Sequence, residues 1–166
     1  MPFQQSINVT QAPGVAGDFC STNPRHSALS VPGGYVAGPS GLTVGLFAWA
    51  DTATGTVLQN SGTGLPTGFV HRNLNALIVT YLAEFGMTIQ QGQPVGDLFD
   101  EGDFFVKNAG AGAVTKGMKA FANTSNGTVS FAATGATVSG SVETKWYAHS
   151  IGAAGELIKM SNTIPG

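Results

Sequence analysis

The stretch Met87-Thr-Ile-Gln-Gln-Gly-Gln-Pro-Val-Gly-Asp-Leu-Phe-Asp-Glu-Gly-Asp-Phe-Phe-Val-Lys-Asn108 decides the fold class of this chain. Its two short apolar runs, residues 87–89 and 104–106, flank a region rich in glycine, a pattern typical of strands joined by tight turns. The glycines are not followed by a Lys-Ser/Thr pair or a dinucleotide-binding spacing, so the stretch does not indicate a phosphate-binding loop. We therefore interpret it as part of a β core and expect function to lie on the surface of that core.

Composition supports the same fold class. Only 10% of the 166 residues are charged, whereas Gly and Pro number 24 and 8. Ordinary soluble domains carry roughly a quarter charged residues. This balance favours many short strands and turns over helices. Either neighbouring subunits cover part of the exterior, or uncharged Ser, Thr, Asn and Gln residues keep a monomer soluble. The length fits a single domain with an extended arm.

Charge and hydropathy argue against several classes of partner. The seven basic residues are scattered and the formal charge is −2, so we expect no nucleic-acid binding. No run approaches the roughly 18 apolar residues of a membrane span, and the first residues lack the pattern of a secretory signal. We expect synthesis in the cytoplasm and no contact with a membrane.

Residues 1–40 are interpreted as an extended N-terminal arm, with residues 41–166 forming the β domain. The arm contains apolar side chains at Phe3, Ile7, Val9 and Phe19, but its Pro and Gly residues prevent long regular elements. We predict short strands near Val31 and residues 35–36. Such an arm must be ordered either by its own domain or by another chain.

Residues 41–51 predict a strand with two apolar faces. Leu42, Val44, Leu46 and Ala48 alternate with a second set that contains Phe47 and Trp49. One face is expected to be core. The face with Trp49 is either a second core layer or an interface, and packing inside the subunit is the commoner arrangement for aromatic residues in strands.

Residues 73–85 show the one helical period in the chain. Apolar residues recur at i, i+3, i+4, i+7 and i+8, which predicts a short helix, although residues 78–81 are also good strand formers. Further along, Asn126-Gly127 lies between alternating runs and predicts a β-hairpin, because this pair readily adopts the positive φ angles of a tight turn. Two final strands are predicted at about residues 142–148 and 155–160.

No constellation of residues indicates catalysis, a metal or a cofactor. The acids Asp97, Asp100, Glu101 and Asp103 lack the spacing of a calcium loop, and the three histidines match no zinc signature. Cys20 is the only cysteine and has no ligand partner nearby in sequence, so a small, partly buried side chain is expected. We therefore expect a protein that is not an enzyme and carries no metal or cofactor.

Several stretches, taken in their order along the chain, resemble the structural cement, or capsid decoration, proteins of tailed bacteriophages. They are residues 17–19, 23–25, 41–51, 66–72, 102–108 and 126–135, and the segment 146–160 is similar to the ending of some members. No single stretch is specific, but their joint order is. The resemblance implies a β-rich protein that binds the outside of the virion head and ties major capsid protein subunits together. It also implies a homodimer or homotrimer.

The combined prediction is an all-β protein, an antiparallel β-sandwich or barrel of which a jelly roll is one form, with one short helix and an extended arm. The predicted capsid or oligomer contacts are Phe3, Ile7, Val9, Phe19 and Trp49, and the alternative for the arm residues is packing on their own subunit. The alternative functions are a tail or fibre component, a carbohydrate-binding adhesin and, with less support, a small hydrolase. An exposed aromatic platform at Trp49 or Trp146 would favour sugar binding. A polar pocket combining His71 or His149 with acids would favour hydrolysis.

Overall fold

The computed structural model describes residues 14–72 and 87–165, and within these residues every regular element is a β-strand. The strands, numbered in chain order, are β1 His26–Ser27, β2 Tyr35–Ala37, β3 Leu42–Thr43, β4 Phe47–Ala50, β5 Val57–Gln59, β6 Gly68–Val70, β7 Thr88–Ile89, β8 Pro94–Val95, β9 Leu98–Glu101, β10 Asp103–Lys107, β11 Lys119–Asn123, β12 Val129–Ala132, β13 Ser141–Ala148 and β14 Leu157–Ser161. The predicted all-β, mostly antiparallel fold is confirmed. The helix predicted at residues 73–85 lies outside the described residues.

One sheet has seven strands in the order β1-β9-β6-β4-β5-β2-β8. β8 lies at one end of this order and β9 next to the other end, yet only Gly96 and Asp97 separate them along the chain. The three Cα–Cα steps from the end of β8 to the start of β9 span at most about 10 Å. The sheet must therefore curl until its ends approach each other, and we call it the rolled sheet.

A second sheet has five antiparallel strands in the order β10-β14-β13-β11-β12, and we call it the flat sheet. The chain passes from the rolled to the flat sheet between β9 and β10 at Gly102, whose φ of +137° is hard for other residues to adopt. The two sheets face each other in a sandwich-like arrangement. The hairpin β11–β12 and the pair β13–β14 confirm the predictions for the second half of the chain.

The strand predicted over residues 41–51 is divided in two. It breaks at Gly45, where φ is +74° and a Cβ would lie 2.9 Å from the carbonyl carbon of Ala16. β3 pairs with β7 in a small separate sheet, whereas β4 joins the rolled sheet. The prediction of one continuous strand was therefore wrong, because a positive φ turns the chain between its halves.

Asn60 fixes this turn with its side-chain amide. Its Oδ1 accepts the N–H of Thr43 (2.6 Å), and its Nδ2 donates to the carbonyls of Thr43 and Phe47, each at 3.1 Å. One half-buried amide thereby satisfies three backbone groups near the break.

Two separate cores lie on opposite faces of the rolled sheet. The first lies between the sheets and contains Phe47, Trp49, Phe69, Phe104 and Trp146 among others. The second lies inside the roll and consists mainly of smaller aliphatic residues: Tyr35, Ala37, Leu42, Ala48, Leu58, Val70, Val95 and Leu98. The two apolar faces predicted for residues 41–51 are confirmed, and the face with Phe47 and Trp49 is a second core layer.

Within the predicted arm, the strand at residues 35–36 is present in β2, but no strand forms at Val31. Pro32 and the two glycines that follow form a turn there, with φ of +101° at Gly33 and +75° at Gly34. A different pair, His26–Ser27, forms the preceding strand and joins β9.

Candidate interaction surfaces

Residues 14–27 run along the corner where β9 becomes β10, and we call this segment the strap. Gly17 N–H donates to the Phe105 carbonyl (2.8 Å), and Cys20 N–H donates to the Asp103 carbonyl (3.0 Å). Further on, His26 pairs with Glu101 in β9. The strap therefore covers the open edge of β10 and joins the two sheets, as a bound edge strand does.

Side chains of the strap stack on the body of the protein. The ring of Phe19 lies 3.9 Å from that of His71 in a stacked arrangement, and the Arg25 guanidinium lies 4.1 Å from the Phe19 ring centre. Phe19 also contacts Phe99 and Phe104 of the first core. His71 Nδ1 is 2.7 Å from the Gly17 carbonyl oxygen, which can only accept, so Nδ1 carries the proton.

Two carboxylates hold the strap in place. Arg72 Nη1 lies 3.1 Å from Asp18 Oδ1, and Asp103 Oδ2 accepts from Ser21 Oγ and Asn23 Nδ2, each at 2.6 Å. Burial of the Asp103 carboxyl disfavours its charged form and acts to raise its pKa. The hydrogen bonds from Ser161, Ser21 and Asn23 and the nearby His149 outweigh burial and hold the pKa of Asp103 below its usual value.

Cys20 lies beside this cluster and is half-buried without a disulfide. Burial, helped by the negative charge of Asp103, raises the pKa of its thiol to about 11. A thiol of this kind is a poor nucleophile, since the reactive form is the thiolate.

An inter-sheet cleft of about 280 Å³ opens where β6 and β9 of the rolled sheet face β13 of the flat sheet. Phe47 and Trp146 form its floor, residues 65–68 form one wall, and Asp100, Thr144 and Lys145 line the remainder. A second cleft of about 400 Å³ lies at the seam of the roll, between the β1–β2 loop and residues 94–98. There the hydroxyl of Tyr35 donates to the Leu29 carbonyl (2.7 Å), and burial raises the pKa of Tyr35.

A sequence model of the XM1 gp53 minor capsid protein family matches residues 3–162. The chain belongs to this family. It is a capsid-associated phage protein, which places it in the virion. A solved structure of the capsid of Myoviridae phage XM1 contains a chain of similar fold, with a TM-score of 0.67, 17% identity and coverage of 98% of each chain. A comparison with curated proteins found no match.

Two of the five contacts predicted for this capsid protein lie among the described residues. Phe19 packs on its own subunit, which is the alternative stated for the arm, and its contact with a neighbouring chain stays a prediction. Trp49 is 5% exposed, and its indole N–H donates to the Gly64 carbonyl (3.0 Å), so it contributes packing inside the subunit. Phe3, Ile7 and Val9 lie outside the described residues.

The structure also bears on the alternative functions. Trp49 is buried and Trp146 is 2% exposed, so neither forms the open aromatic platform that sugar binding would use. His71 and His149 line neither cleft described above. Within residues 14–72 and 87–165, no group of three or more acids, histidines or cysteines has the arrangement of a metal site.

Three of the four acids in residues 97–103 contact different partners. Asp100 lies 2.7 Å from His26, Glu101 lies 3.9 Å from Lys145, and Asp103 holds the strap. In the part of the chain that the structure describes, no helix is long and apolar enough to cross a membrane.

Sequence reasoning missed the strap contacts and the inter-sheet cleft. Arg72 and Asp18 are 54 positions apart, and Ser21 and Asp103 are 82 apart, so no local pattern connects either pair. Where β13 pairs with β11 the register shifts, so residues 144–146, which line the cleft, form a bulge opposite Ala120. No glycine or proline in β13 marks this bulge in the sequence.

Proposed function

We propose that this capsid-associated chain is a decoration protein that binds the outer surface of the phage head and stabilises contacts between major capsid protein subunits. It acts as a homodimer or homotrimer, and it performs no catalysis. The observation that carries the proposal is the match of nearly the whole chain, residues 3–162, to a minor capsid protein family. The resemblance of its ordered stretches to cement proteins supports the finer role.

The geometry of the strap supports a role for the residues before it. The strap is held to both sheets by backbone pairing, an ion pair and an aromatic stack. Residues 1–13 directly precede this attached segment, and they contain Phe3, Ile7 and Val9 but no charged side chain. Apolar contacts of such a segment with a neighbouring subunit would add binding energy at every repeated site on the shell.

The binding test uses heads assembled without this protein. Purified protein should bind them to saturation at a number of copies that matches the head symmetry, and bound heads should resist higher temperatures than bare heads. Sedimentation with the heads measures binding, and release of DNA on heating measures stability. Failure to bind would contradict the proposal.

The arm is tested by two triple variants with a matched number of changes. Replacing Phe3, Ile7 and Val9 by Ser should weaken binding to heads by about 10-fold or more, because three apolar contacts are lost. Replacing Gln4, Gln5 and Asn8 by Ser should leave binding unchanged. Circular dichroism should show the same β fold in both, since the strap and the sheets are not altered. If both variants bind heads equally well, the proposed contact between the apolar residues of the arm and a neighbouring subunit is wrong.

A further inference from the structure

The outward face of the flat sheet is covered. Its inward face carries Phe104 and Ala120, which belong to the first core. Side chains alternate between the two faces of a strand, so Phe105 and Phe121 point the other way. Both rings are nevertheless buried, with 7% and 1% of their surface exposed, and among the described residues neither ring belongs to either core. A segment outside the two cores must therefore lie over this face.

A buried lysine on the same face leads to the same conclusion. Lys119 is two positions from Phe121 in β11, so it also points outward, yet it is only 8% exposed. Its Nζ lies 3.8 Å from the ring centre of Tyr147 and donates to the Thr144 carbonyl (3.2 Å). On an uncovered sheet face a lysine keeps its ammonium group in water. The burial of Lys119 therefore indicates that a segment covers the middle of the face.

The chain enters the described part of the structure on this face. Gly14 lies against the ring of Phe105, and a Cβ added to Gly14 would be only 2.5 Å from Cδ2 of that ring. Residues 1–13, which we call the leading segment, are joined directly to Gly14. The leading segment therefore meets the described chain beside Phe105, on the face that is covered.

Strand pairing gives the distances across this face. One row crosses β10, β14, β13 and β11 at Asp103, Ser161, Tyr147 and Lys119. Phe105 is two residues from this row in β10, and Phe121 is two residues from it in β11, on the opposite side because the two strands run in opposite directions. Three strand spacings of about 4.8 Å and four residues along the strands therefore separate the two rings, which amounts to about 20 Å. With the same spacings, Lys119 is about 16 Å from Phe105.

The leading segment spans these distances with side chains that suit the face. Val9 and Ile7 are five and seven residues before Gly14. An extended chain covers at most about 3.4 Å per residue, so these two residues reach up to about 17 and 24 Å from Gly14. They therefore come within range of the buried lysine and of the second phenylalanine. The run Ser6-Ile-Asn-Val-Thr10 carries no charge and alternates polar with apolar side chains, as a strand packed on one face does.

We propose that, in the free subunit, the leading segment packs on the outward face of its own flat sheet and covers Phe105, Lys119 and Phe121. This contact keeps the apolar side chains of the segment out of water before the subunit meets a head. On a head these side chains transfer to a neighbouring subunit. The transfer rests on the proposed function, whereas the contact within the free subunit does not.

Thermal unfolding of the free protein tests this contact without heads. Replacing Phe3, Ile7 and Val9 by Ser should lower the melting temperature by about 5 °C or more, because apolar burial on the flat sheet is lost. The matched polar triple variant described above should change it by less than about 1 °C. The loop of residues 133–140 also reaches this face, where the Gly135 N–H donates to Glu143 Oε2 (2.7 Å). Equal melting temperatures of the two variants would show that this loop covers the face without the leading segment, and would overturn the proposal.

A photoreactive amino acid at position 9 locates the leading segment directly. Irradiation of the free protein should join this position to peptides of β11 or β13, as read by mass spectrometry. The same amino acid at Leu29, which is 84% exposed in the β1–β2 loop, is the matched control and should not link to the flat sheet. A mixture of isotope-labelled and unlabelled protein separates links within one subunit from links between copies. Links from position 9 to the rolled sheet, to another copy or to no peptide would contradict the proposed contact.

Binding to heads is measured in a separate experiment, so the two proposals fail separately. If the wild-type protein does not bind heads but both results in the free protein are as expected, the proposed function is wrong and the contact of the leading segment stands. If the protein binds heads but the free-protein results are not as expected, only the contact is wrong.

Discussion

The rolled and flat sheets are stabilised in different ways. Strands of the rolled sheet are two to four residues long, whereas those of the flat sheet have four to eight. Short strands form few ladder hydrogen bonds, so turns in the rolled sheet depend on side chains such as Asn60 and Asp51. The flat sheet depends on long ladders such as the five-residue register of β10 with β14.

The aromatic core joins the two sheets. Phe104 of the flat sheet contacts Phe69 of the rolled sheet at 5.0 Å between ring centres, and Trp146 contacts Phe47 at 6.3 Å. Such tilted and edge-to-face contacts are favourable geometries for aromatic rings. The interior of the roll contains mainly aliphatic residues, and Tyr35 is the one aromatic residue in that buried cluster.

The largest effect is expected at Gly127, where the tip of the β11–β12 hairpin meets the rolled sheet. Its φ is +71°, and an added Cβ would overlap the carbonyl oxygen of Phe47, whose N–H donates to the Gly127 carbonyl (3.0 Å). Gly127→Ala should lower the free energy of unfolding by about 3 kcal/mol or more, measured by chemical denaturation.

Gly135 provides the matched control for this substitution. Its φ is +75°, but nothing lies within 4 Å of an added Cβ. Gly135→Ala should therefore cost only the backbone strain, about 1 kcal/mol. Equal losses in the two variants would show that the hairpin tip is not a joint between the sheets.

A smaller, pH-dependent effect is expected at Asp51, in the β4–β5 turn of the rolled sheet. Its carboxylate accepts the N–H groups of Val57 (2.9 Å), Thr54 (2.8 Å) and Thr56 (3.0 Å). These bonds, those from Val57 and Thr54 above all, lower the pKa of Asp51 to about 2. The folded-state pKa lies below the unfolded value of about 4. The ionised group therefore stabilises the fold above pH 4, and this contribution is lost as the pH falls from about 4 to about 2.

The variant Asp51→Asn removes the ionisable group at this position. Comparing it with the wild-type protein therefore separates the pH-dependent stabilisation by Asp51 from that by other acids. Wild-type protein should be more stable than the variant at pH 6, and the difference should shrink between pH 4 and pH 2 in urea unfolding curves. A difference that stays constant over this range would contradict the account of the turn. Asp103 has a lowered pKa in both proteins and cancels in the comparison.

Local patterns in the sequence predicted much of this fold. Asn126-Gly127 specified the hairpin through positive φ at Gly127, and the alternation of Phe47 and Trp49 with Ala48 specified two buried faces. Contacts between residues that lie far apart in the chain could not be predicted from such local patterns. The pairing of Asp18 with Arg72 and the stacking of Phe19 on His71 exist only because the strap crosses the corner at Gly102, and a period-two pattern gave no sign of the break at Gly45.

The most direct test of the central claim is an electron-microscopy map of the virion at a resolution that shows individual strands. The account predicts density for this sandwich on the outer surface of the head, at symmetry-related positions, in contact with more than one major capsid protein subunit. Density for this fold inside the shell or on the tail, or heads that lack it altogether, would contradict the account.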